Sequence, residues 1–165
     1  MTPPIHLRTA TPSDEAVLFH IFASTRWEEL APTGWTDQEK TTFLQMQFST
    51  QQRYYQQVYP DADFLVIITH DAIIGRLYLA TLPTERRIID IALLPAYRNQ
   101  GIGSILLKKI LKTAAEDRLN VGIHVEKNNP ARLLYERLGF NTVADAGVYW
   151  RMEWLADPQP EVPVF

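Results

Sequence analysis

The run from residue 88 to residue 115 constrains the fold more than any other part of this chain. Ile88-Ile89-Asp90-Ile91-Ala92-Leu93-Leu94 is an apolar, β-branched stretch closed by Pro95, and it reads as a buried strand. Arg98-Asn99-Gln100-Gly101-Ile102-Gly103 follows. Beyond it Ile102, Leu106 and Ile110 recur every four positions, joined by Leu107, Leu111 and Ala114. That spacing predicts a helix over residues 102–115 with one apolar face, and Lys108, Lys109 and Lys112 fall between as a solvated face. The first N–H groups of such a helix have no intrahelical partner, and its dipole end is positive. Glycines supply the φ values the loop needs and let a ligand approach the backbone. The guest suited to a strand, a glycine loop and a helix start is a phosphate or pyrophosphate.

The class of phosphate ligand can be narrowed. A P-loop ends in Gly-Lys-Ser/Thr, and Gly103-Ser104 has no lysine between them. A dinucleotide fingerprint carries a third glycine or alanine three residues beyond the second, where Leu106 stands. The spacing Arg-x-x-Gly-x-Gly instead resembles the acyl-CoA pyrophosphate loop of the GNAT superfamily of N-acyltransferases. Asn128-Asn129-Pro130-Ala131-Arg132-Leu133-Leu134-Tyr135-Glu136-Arg137-Leu138-Gly139-Phe140 resembles that family's second signature. There an asparagine is followed by an alanine three on, a tyrosine four further, then Gly-Phe. Both signatures stand in the family's order and separation.

The remaining pattern agrees. Residues 5–9 read as a first strand. Thr11-Pro12-Ser13-Asp14 reads as a helix start that carries on toward Trp27, and Ala31-Pro32-Thr33-Gly34 breaks the helix. Thr36-Asp37 caps a second helix through about Tyr59, with Phe43, Met46, Tyr54 and Val58 at helix-compatible steps. Residues 64–69 and 72–80 are strands flanking His70-Asp71, a hairpin turn. Residues 87–94, 121–126 and 148–154 are further strands. A helix over residues 130–138 is stopped by Gly139. The order β-α-α-β-β-β-α-β-α-β matches what the resemblance implies over about residues 5 to 155: an α/β (α+β) GNAT fold, a central mixed, mostly antiparallel sheet flanked by about four helices. A single domain is expected over residues 1–156, with a proline-rich tail at residues 157–165.

At 165 residues and 46% hydrophobic, the chain has enough apolar residues for a core. A net charge of −3 provides no basic field for nucleic acid. The absence of cysteine removes disulfides, thiolate metal ligands and a Cys–acyl intermediate. The four histidines show no i, i+4 pairing, so no metal is expected. No apolar run has membrane-span length and no leader pattern opens the chain, so a soluble, cytoplasmic protein with no membrane partner is expected.

The resemblance implies transfer of an acyl group, in the first place acetyl, from acetyl-CoA to a primary amine by direct attack in a ternary complex. The amine acceptor is a small molecule or a protein, and a homodimer is left open. At pH 7 a lysine-like amine lies about 3 pK units below its pKa, so desolvation or a base must supply roughly 4 kcal/mol. By resemblance, Tyr135 is the general acid toward the CoA sulfur, since a phenol keeps its proton at pH 7; otherwise it is a packed core tyrosine. Arg98, Asn99, Gln100, Gly101, Ile102, Gly103 and Ser104 hold the pyrophosphate. Leu93 and Leu94 offer backbone groups to the pantetheine arm from a strand splayed by a bulge. Asn128 bonds the cofactor's amide arm, or caps the helix that begins near Pro130.

The general base is where the chain departs from the family. Several members carry a glutamate eleven residues ahead of the loop, and here that position is Arg87. Asp90, in a strongly apolar run, is the nearest carboxylate on the strand; it is either the base or a structural carboxylate. Glu85 and Glu126 lie nearby in sequence. His124, in a buried-type strand, reads as a packed histidine. On the acceptor side, Thr33-Gly34-Trp35 is an exposed-aromatic candidate for a cleft mouth, with Glu28 and Glu29 beside it. A CoA-binding sensor without catalysis is the alternative, since the family's glutamate is missing.

Overall fold

The computed structural model describes residues 3–157, so of the tail expected at residues 157–165 all but Asp157 lies outside the described residues. By internal packing the chain divides into two compact units. Among the described residues, one is formed by residues 3–80 with 89–103, the other by residues 81–88 with 104–157.

In the first unit, strand β1 (His6–Thr9) runs antiparallel to β2 (Asp63–Thr69), which runs antiparallel to β3 (Ala72–Thr81). His70 and Asp71 make the β2–β3 turn with φ of 48° and 63°. Two consecutive left-handed residues match the right-handed twist of paired strands, so the expected hairpin is the one found. Helix α1 (Glu15–Arg26) ends next to Trp27, where the sequence pattern takes it, and passes into a 3-10 segment from Trp27 to Thr33. Gly34, at φ 70°, closes that segment.

Helix α2 (Asp37–Val58) starts at a reciprocal cap. The Glu39 N–H donates to Thr36 Oγ1 at 3.1 Å, and the Thr36 N–H donates back to Glu39 Oε1 at 3.5 Å. The face it buries is not the expected one. Leu44 and Phe48 are completely buried, each worth roughly 1.5–3 kcal/mol of transfer free energy, whereas Met46, Tyr54 and Val58 are exposed. The apolar stripe reads ambiguously because its inner continuation is polar: Gln51 and Gln52 point to the sheet. Leu18, Ile21, Phe22 and Ala23 of α1 pack with Leu44, Phe48 and Val66 as this unit's core.

In the second unit, the first residues of strand β4 (Glu85–Leu93) pair in parallel with β5 (Asn120–Glu126), from Glu85↔Asn120 to Ile88↔Ile123. Helix α3 (Ile102–Glu116) buries Leu106, Leu107, Ile110, Leu111 and Ala114 and exposes its lysines, as its periodicity predicts. Helix α4 (Arg132–Arg137) is a short turn and a half that stops at Gly139, where φ is 101°. Two further strands follow, β6 (Asn141–Ala146) and β7 (Tyr149–Trp154), with β7 antiparallel to both β5 and β6. The sequence reading lacks β6. Every residue of that strand is exposed, and Asn, Ala and Asp give no alternating signal. Its trace is Gly147, a positive-φ turn residue at 77° ahead of the visible β7.

The strands are hydrogen-bonded in the order β1-β2-β3-β4-β5-β7-β6. With four α-helices among the described residues, this is the mixed, mostly antiparallel α/β architecture expected. Among the described residues no helix is long and apolar enough to cross a membrane.

Candidate functional site

The glycine loop lies in the first unit. Strand β4 is anchored at its end by the Leu94 N–H, which donates to Ile74 O at 2.8 Å, and Pro95–Tyr97 forms one 3-10 turn. The Tyr97 N–H returns to Leu94 O at 2.9 Å, so both backbone groups of Leu94 serve the chain itself. Arg98 folds back, its Nε donating to Leu93 O at 2.9 Å, while Gln100 Nε2 reaches Ala96 O at 2.9 Å. Arg98 and Gln100 thereby stiffen the loop from within. Asn99 and Gly101 take left-handed φ values of 61° and 82°. A Cβ built on Gly101 meets nothing within 4 Å, so the space above this backbone is open. Ile102 is buried and starts α3, and Gly103 and Ser104 occupy its half-buried first turn.

Gly75 brings β4 close to β3. A Cβ there would lie 2.3 Å from Ala92 O. Only a residue without a side chain lets this carbonyl sit where it does, one residue before Leu93.

Asp90 is not in apolar surroundings. It forms an ion pair with Arg76 Nη2 from β3, and the same nitrogen donates to Gln51 Oε1 on α2 at 2.9 Å. The Arg76 guanidinium also lies 4.9 Å from the Tyr78 ring centroid and 5.7 Å from that of Phe22. Its Nε and Nη1 are buried with no hydrogen-bond partner; the ring faces beside them explain how such donors are tolerated. Tyr78 OH meets Gln52 Oε1 at 3.2 Å, and burial pushes the phenol up. Sequence reasoning missed this network. Its signal was present: Arg76 and Tyr78, two apart in an apolar strand, share a face with the glutamines of α2.

Beside Tyr78 the first unit holds a cavity of about 630 Å³ whose walls include Leu18, Phe48, Gln52, Arg53 and Phe64. Trp35 is partly exposed and packs edge-on against Phe43 at 5.1 Å, which holds its ring on the segment before α2.

The second signature lies in the second unit. Tyr135 is 4% exposed and packs edge-on against Phe140 at 5.7 Å. Asn128 is exposed, and the bond expected of a cap comes from its neighbour instead: the Ala131 N–H donates to Asn129 Oδ1 at 2.9 Å. Asn128 is thereby relieved of a capping role.

His124 is exposed, contrary to its reading as a packed core residue, because β5 buries Val121, Ile123 and Val125 and turns His124 outward. It stands opposite Arg151 in the β5–β7 ladder. Partial desolvation, then the positive charges of Arg87 and Arg151, hold its imidazole below the usual histidine range, against an opposing contribution from Glu85. Glu85 pairs with Arg87 and lies across Gly122, where a Cβ would come 2.0 Å from Glu85 Oε2. Among the described residues no group of three or more His, Cys, Asp or Glu is placed to hold a metal.

Known proteins resemble this chain in sequence and in fold. Residues 25–140 match the family described as acetyltransferase (GNAT) family. Over 80 residues the chain is 36% identical to a ribosomal protein bS18-alanine N-acetyltransferase of Haemophilus influenzae, which is 48% of this chain and 55% of that protein. The matched stretch thus spans about half the length of that relative. The fold resembles the crystal structure of a PaiA N-acetyltransferase from Thermoplasma acidophilum in complex with coenzyme A, with a TM-score of 0.70 at 18% identity over 92% of this chain and 99% of the other. It also resembles the ribosomal-protein-S18-alanine N-acetyltransferase from Escherichia coli, with a TM-score of 0.63 at 18% identity over 98% of this chain and all (100%) of the other.

Proposed function

Because the chain belongs to the GNAT acetyltransferase family, we propose that it transfers an acetyl group from acetyl-CoA to a primary amine by direct attack in a ternary complex. One observation carries the reading. The loop from Arg98 to Gly103 joins a strand to a helix start, is braced by its own side chains, and leaves the space above Gly101 open. Unpaired N–H groups at a helix start, with a positive dipole end, suit the pyrophosphate of CoA. In this reading Arg98, Asn99, Gln100, Gly101, Ile102, Gly103 and Ser104 hold the pyrophosphate. Leu93 and Leu94 line the pantetheine arm, where the Leu94 carbonyl has a second lone pair to offer. Asn128, free of capping, bonds the arm's amide. Tyr135 gives its proton to the departing thiolate. Asp90 stays a candidate for taking the amine's proton, and its ion pair with Arg76 is the observation that weighs against that role.

The similarity to an enzyme whose name specifies an alanine of a ribosomal protein makes a peptide α-amine the first acceptor to try. The test is thiol release from acetyl-CoA with an alanyl peptide, free lysine and spermidine, paired with calorimetry of CoA binding. Gly101→Val places a β-branched side chain at a φ of 82° and over the proposed pyrophosphate. It should weaken CoA binding at least tenfold, about 1.4 kcal/mol, without unfolding the protein. Wild-type affinity in that variant would remove the cofactor assignment.

A further inference from the structure

The acetyl transfer proposed above makes no use of the cavity of about 630 Å³ beside Tyr78. All its walls belong to the first unit, and none is a residue assigned to CoA or to proton transfer. It also lies away from the glycine loop. Ile74 O meets the Leu94 N–H and Gly75 meets Ala92 O, so successive residues of β3 run toward earlier residues of β4. Tyr78, the β3 wall of the cavity, stands three residues beyond Gly75. That is about 10 Å further along the strand, in the direction away from the loop.

The volume is in the range of small-molecule pockets, roughly 300–1,000 Å³. The floor is apolar. Leu18, Phe48 and Tyr78 are buried and Phe64 is half-buried, and the Phe64 and Tyr78 rings meet edge-on at 5.0 Å. The α2 wall is polar. Ser49, Gln52, Arg53 and Gln56 follow at the i, i+3, i+4, i+7 spacing of one helix face. The same half of α2 sends Tyr54 and Val58 into solvent, so the helix lines the cavity with polar groups while apolar ones stay outside. The charged residues of the lining are Glu15, from the first turn of α1, and Arg53. Neither side chain has a hydrogen bond or ion pair among the described residues, with the other or with any third group. The preceding carboxylate, Asp14, is by contrast paired with Arg8.

We propose that this cavity binds a free aromatic α-amino acid as its zwitterion. The Arg53 guanidinium takes the carboxylate, the Glu15 carboxylate takes the ammonium, and the ring lies on Phe48, Phe64 and Tyr78. A guanidinium matches a carboxylate with two parallel N–H donors. Aromatic rings add edge-on contacts beyond the area they bury. An anion or a cation alone satisfies one rim charge and opposes the other, whereas the zwitterion satisfies both. The amino acid is held there and not acetylated, so binding needs no CoA.

Calorimetry without CoA tests this, with L-phenylalanine, phenylpropionate, phenethylamine and glycine as probes. Phenylalanine should bind with a Kd below about 1 mM. The other probes each lack the ammonium, the carboxylate or the ring, and should bind about tenfold more weakly or worse. Arg53→Gln and Glu15→Gln should each weaken phenylalanine binding about tenfold or more. Both side chains are exposed, so these variants should keep the wild-type unfolding midpoint. Ser49→Trp, which fills the cavity from α2, should abolish binding. Gly101→Val should bind phenylalanine as the wild type does, which separates this site from the CoA loop. A wild-type protein that does not bind phenylalanine overturns the proposal. So does binding that survives in folded Arg53→Gln and Glu15→Gln, or equal affinity for phenethylamine. Thiol release from acetyl-CoA by the same proteins tests the acetyltransferase reading separately, and its absence would leave the amino-acid site standing.

Discussion

Gly75→Ala tests the closest backbone approach in the first unit. The new Cβ would lie 2.3 Å from Ala92 O, 2.9 Å from Leu93 Cδ2 and 3.1 Å from Ile67 Cδ1. Non-bonded heavy atoms keep roughly 3.5 Å, so about 1 Å of displacement is required. The Leu93 and Ile67 side chains can turn away, but Ala92 O is main chain, and it moves only if β4 moves. Overpacking of this kind costs about 1–3 kcal/mol. Replacing glycine also restricts the unfolded chain, which returns about 0.4–1 kcal/mol. The net loss should be about 1–2 kcal/mol, or about 2–8 °C in Tm for a chain of this size. The displaced carbonyl is also one residue from Leu93, so CoA affinity should fall with stability. Gly122→Ala is the informative control. Its Cβ would come closer still, 2.0 Å from Glu85 Oε2, but that atom ends a flexible side chain. The carboxylate can swing aside, so the shorter clash should be the cheaper one. Urea unfolding of both variants decides the matter. A Gly75→Ala protein within about 0.5 kcal/mol of wild type, below the expected loss, or a Gly122→Ala protein that loses more than Gly75→Ala, would refute the distinction between backbone and side-chain neighbours.

Tyr135→Phe removes a hydroxyl from a buried ring packed on Phe140 and little else. Its kcat should fall about 100- to 10,000-fold with CoA affinity unchanged, and turnover near the wild-type rate would end the general-acid role. Asp14 tests acid stability. Its carboxylate accepts both Arg8 nitrogens, at 2.7 and 3.0 Å, and the Thr11 N–H at 2.8 Å, and the Arg8 bonds above all hold it well below the usual carboxylate range. A group lowered in the folded state stabilises above its unfolded pKa of about 3.9, and that contribution is lost as pH falls below it. The wild type should therefore lose stability between about pH 5 and pH 2 more steeply than Asp14→Asn. Parallel stability curves for the two proteins over that range would show that the bond is not coupled to folding.

The elements around the loop were legible because each announces itself locally. Ile102, Leu106 and Ile110 mark the buried face of α3, Gly139 takes the left-handed φ that stops α4, and His70-Asp71 forms the turn that two strands require. The failures have a common cause, which is that burial is decided by partners distant in sequence. Met46, Tyr54 and Val58 look like a core stripe, yet α2 meets the sheet through Gln51 and Gln52, because β3 presents Arg76 and Tyr78 there. His124 looks buried in Val-Gly-Ile-His-Val, yet the pleat turns it outward while its apolar neighbours go in. Strand β6 carries almost no pattern of its own and is held by pairing with β7. The loop half of the candidate site is therefore readable from spacing, and the polar groups that could move protons are not.

The pairing of Arg76 with Asp90 also restricts how this sequence can change over time. Loss of either partner alone strands a charge that is buried or half-buried, at a cost of about 3–5 kcal/mol. That is a large share of the 5–15 kcal/mol that holds a typical domain folded. Replacing both together with apolar residues of similar volume is often neutral. The two positions are thus separated from their apolar alternative by a valley that single substitutions do not cross. Gln51 and the rings of Phe22 and Tyr78 deepen it, since each is placed to serve a guanidinium. Lineages carrying this arginine are held to it by folding alone.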